Sequence, residues 1–240
     1  MKIIRFILQL ARYPNVVCIM SSMRSGSTLL KSLIATAPDT SDLPEINFIE
    51  YKWYNRWKIN LLSKADIIVM KYPRAFHHIK YPVLPKIGGL KKIFLVRDVF
   101  GTVQSLDKML RLPNVTIDKK WTLKELANTY WYETNANLIK LLEENGNDLL
   151  LVRYEDLISN PIATTKIVFE FIGSKQLKGV DTYSKPENYE WKWGSDDGGE
   201  LIKSLKVQRS IKGDVISEEI KNLELEQKTK DLRTKLGYFD

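Results

Sequence analysis

The chain is poor in the residues that build disulfides and metal centres. Its 240 residues include one cysteine, Cys18, and two histidines. A lone cysteine excludes an intramolecular disulfide, and one cysteine with two histidines cannot complete a four-ligand Cys/His zinc site. Cys18 lies inside an apolar run, which favours a buried thiol over a nucleophile. We therefore predict no metal site and a protein of the reducing cytoplasm.

Long hydrophobic runs and low-complexity tracts are also missing. No segment approaches the roughly 18 uncharged apolar residues of a membrane-spanning helix, and Arg5 and Arg12 interrupt the apolar N-terminus. Hydrophobic residues make up 44% of the chain and charged residues 28%, as in ordinary globular proteins. Because the sequence contains no repeat and no linker, we predict a single domain over residues 1–240.

Positive charge exceeds negative charge in this chain. Lysine and arginine number 37, and aspartate and glutamate number 29, so the formal net charge is +8. This balance favours an anionic partner such as a nucleotide, a nucleic acid, an acidic glycan or a membrane surface. Charge alone does not choose among these partners.

Short apolar runs alternate with helical patterns along the chain. Four runs are rich in Val, Ile and Leu, as in strands buried on both faces: Val16–Met20, Ile67–Met70, Lys92–Val96 and Leu149–Val152. Helices are predicted from Ser27 to before Pro38, from Val99 to Leu110, from Thr122 to Gly146, from Pro161 to Gly173 and from Ser217 to Leu236. This alternation predicts an α/β fold with a doubly wound, mainly parallel sheet flanked by helices.

The first predicted strand leads into a loop suited to binding phosphate. Within residues 19–30, small polar side chains surround one glycine, Gly26, and an apolar helical pattern follows at once. Compared with the P-loop pattern, Ser21 replaces the first glycine, Thr28 keeps the hydroxyl, and Ser27 replaces the lysine. Because that lysine contacts the terminal phosphates of a nucleoside triphosphate, we favour a different phosphorylated donor.

Basic residues follow three of the four predicted strands. Lys71, Arg97 and Arg153 stand at the ends of the second, third and fourth predicted strands, and Arg24 lies in the phosphate loop after the first. Ligands of open α/β sheets bind beyond the carboxyl ends of the strands. We therefore expect the four cations to gather at one edge, where a ligand with several negative charges would offset their repulsion.

These pieces resemble the sulfotransferase family, whose donor is 3′-phosphoadenosine-5′-phosphosulfate (PAPS). The segment Arg24-Ser25-Gly26-Ser27-Thr28 is similar to the family's loop for the 5′-phosphosulfate. Arg97 and Ser105 match its pair for the 3′-phosphate, and Tyr154 matches a tyrosine that lies near the adenine. The resemblance implies a P-loop-like fold and metal-free transfer of sulfonate to an acceptor hydroxyl, less readily to an amine. The desulfonated product, adenosine 3′,5′-bisphosphate (PAP), is then the second expected ligand.

The resemblance also implies roles for three cations. Arg24 stands where many relatives carry a lysine, and we expect it to hold charge on the departing oxygen. Lys71 is expected to contact the transferring group, the alternative being a solvated strand end. Arg209 is expected to close over the 3′-phosphate, the alternative being a solvated basic stretch.

A glutamate is the expected general base. Relatives that act on small molecules have a histidine two residues after a lysine, where this chain has Pro73. Glu45 resembles instead the glutamate of glycan and protein sulfotransferases, which acts on an acceptor hydroxyl. Three other side chains remain alternatives: Glu50, His77 and His78.

The sequence does not specify the acceptor. Trp53 and Trp57 share a helical face with adjacent cations, which suits either packing against the core or a channel for a glycan, a lipid-like molecule or a small hydroxylated compound. Residues 179–213 form either a lid or acceptor-side insertion, or a surface excursion held by tryptophans.

A nucleotide kinase and a non-catalytic nucleotide- or nucleic-acid-binding module are the competing functions. Because the sequence has no nucleic-acid-binding motif, we do not expect a nucleic-acid partner.

Overall fold

A parallel β-sheet forms the centre of the molecule. The structure, a computed structural model, describes residues 15–42, 63–71, 90–112, 121–145, 149–186, 200–208 and 216–239. Within these residues the sheet has five strands: β1 Asn15–Ser21, β2 Thr40–Asp42, β3 Ile67–Lys71, β4 Lys91–Val96 and β5 Leu149–Arg153. Their order is β2-β3-β1-β4-β5, and every neighbouring pair is parallel. The predicted fold class and all four predicted strands are confirmed. β2 was missed because its sequence, Thr-Ser-Asp, has no apolar pattern.

Both faces of the sheet are buried, as the unbroken apolar runs predict. Cys18, Met20 and Phe94 pack in a core on one face, whereas Val17 and Ile19 pack in a second core on the other. The Cys18 side chain is fully buried, and this burial raises the pKa of its thiol. The expectation of a buried, unreactive cysteine is therefore confirmed.

Helices cover the sheet on both sides. Their bounds are α1 Ser27–Ile34, α2 Val99–Leu110, α4 Tyr154–Ser159, α5 Pro161–Ile172, α6 Glu200–Lys203, α7 Glu218–Lys221 and α8 Gln227–Lys235. The remaining helix, α3, comprises an α-helical turn Leu123–Glu125, a π-helical segment Leu126–Trp131 and an α-helix Tyr132–Asn145. None of the helices in the described residues is long and apolar enough to cross a membrane.

Capping residues set several of these boundaries. Thr122 and Glu125 form the predicted capping box, in which Thr122 Oγ1 accepts from the Glu125 amide and the Glu125 carboxylate accepts from the Thr122 amide. Pro161 occupies the first turn of α5, and Gly173 ends it with a φ of 73°. The short helix α4 was not predicted, because its six residues are too few to show a hydrophobic period.

The prediction of one continuous helix from Ser217 to Leu236 is wrong. The chain forms two helices, α7 and α8, and residues 222–226 between them are not helical. The side chain of Asn128 binds this connection, donating to the carbonyl of Glu224 at 3.1 Å and accepting from the amide of Glu226 at 2.8 Å. These tertiary hydrogen bonds replace helical ones that local propensity favours.

The segment predicted as a lid or surface excursion is described only in part. Thr182 forms a β-bridge with Lys206, and the Tyr183 hydroxyl donates to the carbonyl of Ile202 at 2.9 Å. The ring of Tyr183 is buried in the core under α1 and α5. Both described ends of the segment are thus anchored to the domain. Residues 187–199 and 209–215 lie outside the described residues, so the lid stays a prediction.

Candidate functional site

The predicted phosphate loop lies between β1 and α1 and has an unusual backbone. Arg24 has a φ of 65° and Gly26 a φ of 87°, both in the left-handed region. Such a conformation is strained for a non-glycine residue, and strain of this kind concentrates at functional sites. Ser22 and Ser25 are joined through their hydroxyls at 2.5 Å, and the amide of Met23 donates to the Tyr130 hydroxyl at 2.8 Å.

The N-terminus of α1 is built to face an anion. Gly26 is its N-cap and offers no side chain to the first turn, which also contains no acidic residue. The backbone amides of that turn and the positive end of the helix dipole are therefore presented to a ligand. A side chain at this position is excluded by packing, because a Cβ on Gly26 would lie 2.5 Å from Cδ2 of Tyr154.

Arg97 lies at the carboxyl end of β4, and its guanidinium is held on three sides. Its Cζ atom lies 4.4 Å from the centroid of the Tyr154 ring. On another side, a Cβ on Gly101 would lie 2.9 Å from its Nε. Nη1 donates to the carbonyl of Arg24 at 3.1 Å. These contacts fix the orientation of the guanidinium, and Arg97 is buried, with a relative exposure of 8%.

The phosphate loop contacts the predicted 3′-phosphate pair directly. Nε of Arg24 donates to Oγ of Ser105 at 3.0 Å. Ser105 lies on α2, about two turns after Arg97, and β1 and β4 are neighbouring strands. The phosphate loop that follows β1 therefore meets the Arg97 and Ser105 pair that follows β4. The structure therefore brings together Arg24, Arg97, Ser105 and Tyr154, as the sequence predicts.

Other bonds fix the main chain at Arg97. Its carbonyl accepts from Nε1 of Trp131 at 3.0 Å, and the following amide, that of Asp98, donates to Glu155 Oε1 at 3.1 Å. Asp98 then caps α2 by accepting from the amide of Val99 at 2.8 Å. The contact to Trp131 has no sequence signal, because only the fold brings residues 97 and 131 together.

Lys71 is buried at the carboxyl end of β3, with a relative exposure of 3%. Its alternative interpretation as a solvated strand end is therefore wrong. β3 pairs with β1, and Lys71 lies level with Ile19, two residues before the end of β1. A second lysine, Lys31, is fully buried on α1. Lys31 was not among the predicted site residues, although a lysine among the apolar residues of α1 was a visible signal.

Arg153 follows β5 but serves the C-terminal segment. Its guanidinium donates to both carboxylate oxygens of Asp156, at 2.9 and 3.0 Å, and to the carbonyl of Gly237 at 3.0 Å. The hydrogen bond to Asp156 raises the pKa of Arg153 further above its ordinary value. The expectation that Arg153 gathers with the phosphate-loop cations is thus replaced by a structural role. A carboxylate three residues along the chain was the available signal.

The C-terminal segment is anchored beside Arg97 by two further pairs. Arg233 Nε donates to Asp98 at 2.7 Å, and the Tyr238 hydroxyl donates to Glu155 at 2.7 Å. Burial is the main cause that raises the pKa of the Tyr238 hydroxyl, and the negative charge of Glu155 raises it further. The hydroxyl therefore stays a donor at neutral pH. These residues border a cavity of about 550 Å³ that also reaches Arg97.

Two predicted site residues, Glu45 and Arg209, lie outside the described residues. The alternative bases Glu50, His77 and His78 lie outside them as well. Their assignments therefore stay predictions.

Comparison with known proteins identifies the family. A family model described as a sulfotransferase domain matches residues 14–190 of the chain. The chain belongs to the sulfotransferase family. Transfer of a sulfonate group is the reaction of this family, so the predicted activity is confirmed, and the kinase and the non-catalytic binding module are set aside. No curated protein matches this sulfotransferase significantly.

Several solved structures share the fold. A sulfotransferase domain from the curacin biosynthetic pathway is 17% identical with a TM-score of 0.68, over 95% of this chain and 99% of that one. A sulfotransferase domain from the Synechococcus PCC 7002 olefin synthase is 19% identical with a TM-score of 0.66, over 95% and 97%. A mouse sulfotransferase solved in complex with PAP is 15% identical with a TM-score of 0.53, over 94% and 84%. These likenesses show the sulfotransferase fold of the chain.

Proposed function

We propose that this sulfotransferase uses PAPS as its donor and transfers the sulfonate to a hydroxyl of its acceptor. The contact between Arg24 and Ser105 carries the proposal, because it joins the phosphate loop to the predicted 3′-phosphate pair in one site. PAPS has anionic groups at both ends of its nucleoside. A site with one anion-binding element at each end matches that distribution of charge.

The 5′-phosphosulfate is assigned to the N-terminus of α1. Gly26 leaves the first turn open, and the amides of Ser27 and Thr28 belong to that turn. The hydroxyl of Ser21, buried at the end of β1, has no hydrogen-bond partner in the described part of the chain. A buried polar group without a partner costs free energy, which an anionic ligand in the adjacent loop would offset.

The 3′-phosphate is assigned to Arg97 and Ser105. A guanidinium fixed by the Tyr154 ring and the Arg24 carbonyl is suited to bidentate binding of phosphate. The Ser105 hydroxyl accepts a hydrogen bond from Nε of Arg24. A 3′-phosphate that takes up the Ser105 hydroxyl would release the Arg24 side chain toward the 5′ end of the donor.

Arg24 then stabilises the leaving group. During transfer the bond from sulfur to the bridging oxygen breaks and a bond from sulfur to the acceptor oxygen forms. The bridging oxygen departs with the electron pair as part of the 5′-phosphate of PAP. A permanently charged guanidinium stabilises this developing charge but does not donate a proton near neutral pH. The buried ammonium of Lys71, one strand away, supports a second contact to the transferring group.

The proton of the acceptor hydroxyl is assigned to Glu45. The resemblance to glycan and protein sulfotransferases supports this role, and Glu50 and the two histidines are the alternatives. The acceptor class is a glycan, a lipid-like molecule or a small hydroxylated compound. Trp53 and Trp57, with their adjacent cations, would suit sugars or amphiphiles among these, the alternative being that they pack against the core; both tryptophans lie outside the described residues.

Transfer of labelled sulfonate tests the proposal. The protein is incubated with ³⁵S-labelled PAPS and a panel of glycans, hydroxylated lipids and small alcohols or phenols. We expect labelled product and PAP in equal amounts, unchanged by EDTA because protein cations supply the charge. Label transferred only after addition of a divalent metal, or no PAP released with any acceptor, would contradict the proposal.

A further inference from the structure

The π-helical segment Leu126–Trp131 is the most irregular part of the long helix α3. It interrupts α-helical structure on both sides. Short π-helical stretches within α-helices are rare and are frequently found at functional sites. The segment contains two buried aromatic residues, Tyr130 and Trp131, and each of them holds part of the donor site.

Tyr130 holds the phosphate loop. Its hydroxyl accepts from the amide of Met23 at 2.8 Å. Met23 directly precedes Arg24, whose left-handed backbone is strained. The ring of Tyr130 is 2% exposed and packs edge-on against Trp121, with 6.2 Å between centroids. The hydroxyl is therefore rigidly placed, and it engages the Met23 amide, leaving the later amides of the loop to bind the donor.

Trp131, the next residue, holds the opposite end of the same site. Its Nε1 donates to the carbonyl of Arg97 at 3.0 Å, and its side chain is fully buried. The carboxamide of Asn135, one turn later, donates to the carbonyl of Trp131 at 2.7 Å and secures the end of the π-helical segment. Consecutive residues thus connect the two anion-binding elements through one short, packed piece of backbone.

We propose that Tyr130 is a positioning residue for the donor, which sets the phosphate loop at a fixed distance from Arg97 through its neighbour Trp131. This inference rests on the proposed PAPS function. Tyr130 acts through Met23 and does not touch the donor. Without the hydroxyl, the Met23 amide loses its hydrogen-bond partner, and this bond no longer holds the strained loop against α3. Binding at the 5′ end of the donor weakens as a result.

The variant Tyr130→Phe tests this role. It removes one hydroxyl and keeps the ring packing. The matched control is Tyr132→Phe, two residues along α3, where the ring of Tyr132 contacts Lys228 at 4.9 Å. Binding is measured by calorimetry with two probes, PAP and adenosine 5′-phosphosulfate, which lacks the 3′-phosphate. Thermal unfolding is recorded for every variant, and titrations are run well below the Tm.

We expect Tyr130→Phe to raise the Kd of both probes by the same factor, about threefold to tenfold, as for one lost hydrogen bond. The 3′-phosphate contacts are intact, so the ratio of the two Kd values stays that of the wild type. Tyr132→Phe binds as the wild type does. Wild-type affinity in Tyr130→Phe, or an equal loss in both variants, would overturn the inference. Absence of PAP binding to the wild type would instead contradict the proposed function.

Hydrogen exchange on the unmodified protein gives a test that no folding defect can obscure. We expect the Met23 amide to be protected without ligand and unchanged by PAP. The amides of residues 24–28 gain protection when PAP binds. A Met23 amide that exchanges as fast as its neighbours without ligand would also overturn the inference.

Discussion

Arg24 and Ser105, 81 residues apart in the sequence, are joined by a 3.0 Å hydrogen bond from the Arg24 guanidinium to the serine hydroxyl. One residue belongs to the loop before α1 and the other to α2. Their contact spans the two elements that the sequence assigns to opposite ends of the donor. The cations of this site repel one another, so an anion with charge at both ends stabilises the arrangement.

The first prediction concerns Arg97. The variant Arg97→Ala is expected to raise the Kd of PAP about 10- to 100-fold, because charged hydrogen bonds to the 3′-phosphate are lost. Binding of AMP, which has no 3′-phosphate, changes much less. The control is Arg111→Ala at the end of α2, an exposed residue paired with Asp107. Calorimetry with both nucleotides measures the effect, and equal losses for PAP and AMP would exclude a specific 3′-phosphate contact.

Gly26 provides a second prediction. In Gly26→Ala the new methyl group meets the Tyr154 ring at 2.5 Å, and its φ of 87° is strained for alanine. We expect a loss of about 1–3 kcal/mol in the free energy of unfolding and a strongly reduced affinity for PAP. The matched control is Gly173→Ala, which has a similar φ of 73° but nothing within 4 Å. Gly173→Ala should lose stability and keep wild-type affinity for PAP. Wild-type PAP affinity in Gly26→Ala would argue against the loop as the site of the 5′-phosphosulfate.

The third prediction concerns the general base. Glu45→Gln should bind PAP with unchanged affinity and lose turnover by about 10²–10⁴-fold, because glutamine cannot take the proton from the hydroxyl of the acceptor substrate. Sulfonate transfer and PAP titration are measured on the same preparation. Glu50→Gln is the control and is expected to keep its rate. A wild-type rate in Glu45→Gln would direct the assignment to Glu50 or to one of the histidines.

Asp39 provides a prediction on pH. Its carboxylate accepts from the Ser174 hydroxyl at 2.6 Å and from the Lys175 amide at 2.7 Å. Burial alone would raise the pKa of Asp39, but the hydrogen bonds from these two residues outweigh it and hold the pKa below its ordinary value. The stabilisation is therefore complete above the unfolded-state pKa, near 4, and is lost as the pH falls through the lower folded-state value.

Asp39→Asn should accordingly lower the free energy of unfolding by about 1–2 kcal/mol at pH 7. The difference from the wild type should shrink as the pH falls below about 4. Denaturant titrations across this range measure it. Asp66→Asn, which removes an exposed ion pair with Lys175, is the control and should have little effect at any pH. A difference between Asp39→Asn and wild type that is independent of pH would contradict the assignment.

The sequence predicts the parts of this protein that depend on local pattern. The four apolar strands, the capping box at Thr122 and the glycine end of α5 are all confirmed. The loop and Arg97 were predicted because a glycine before an apolar helix and basic residues after several strands of one sheet point together to an anion site. β2 escaped prediction because its pairing with β3 supplies the extended structure that its polar residues do not favour.

Features that depend on distant partners could not be predicted. The side chain of Asn128 binds the non-helical connection between α7 and α8. Residues 222–226 contain no proline or glycine that would predict this break in the helix. Arg153 stands at a strand end as Arg97 does, yet the Asp156 carboxylate and the carbonyl of Gly237 bind it. The π-helical segment likewise follows from tertiary contacts of Tyr130 and Trp131 and not from helix propensity.

Calorimetric titration of the purified protein with PAP tests the central claim, that the joined elements around Arg24 and Arg97 bind a donor with a 3′-phosphate. A parallel titration with ATP and magnesium is the control. We predict micromolar binding of PAP and little or no binding of ATP. Tight binding of ATP with none of PAP would contradict the account.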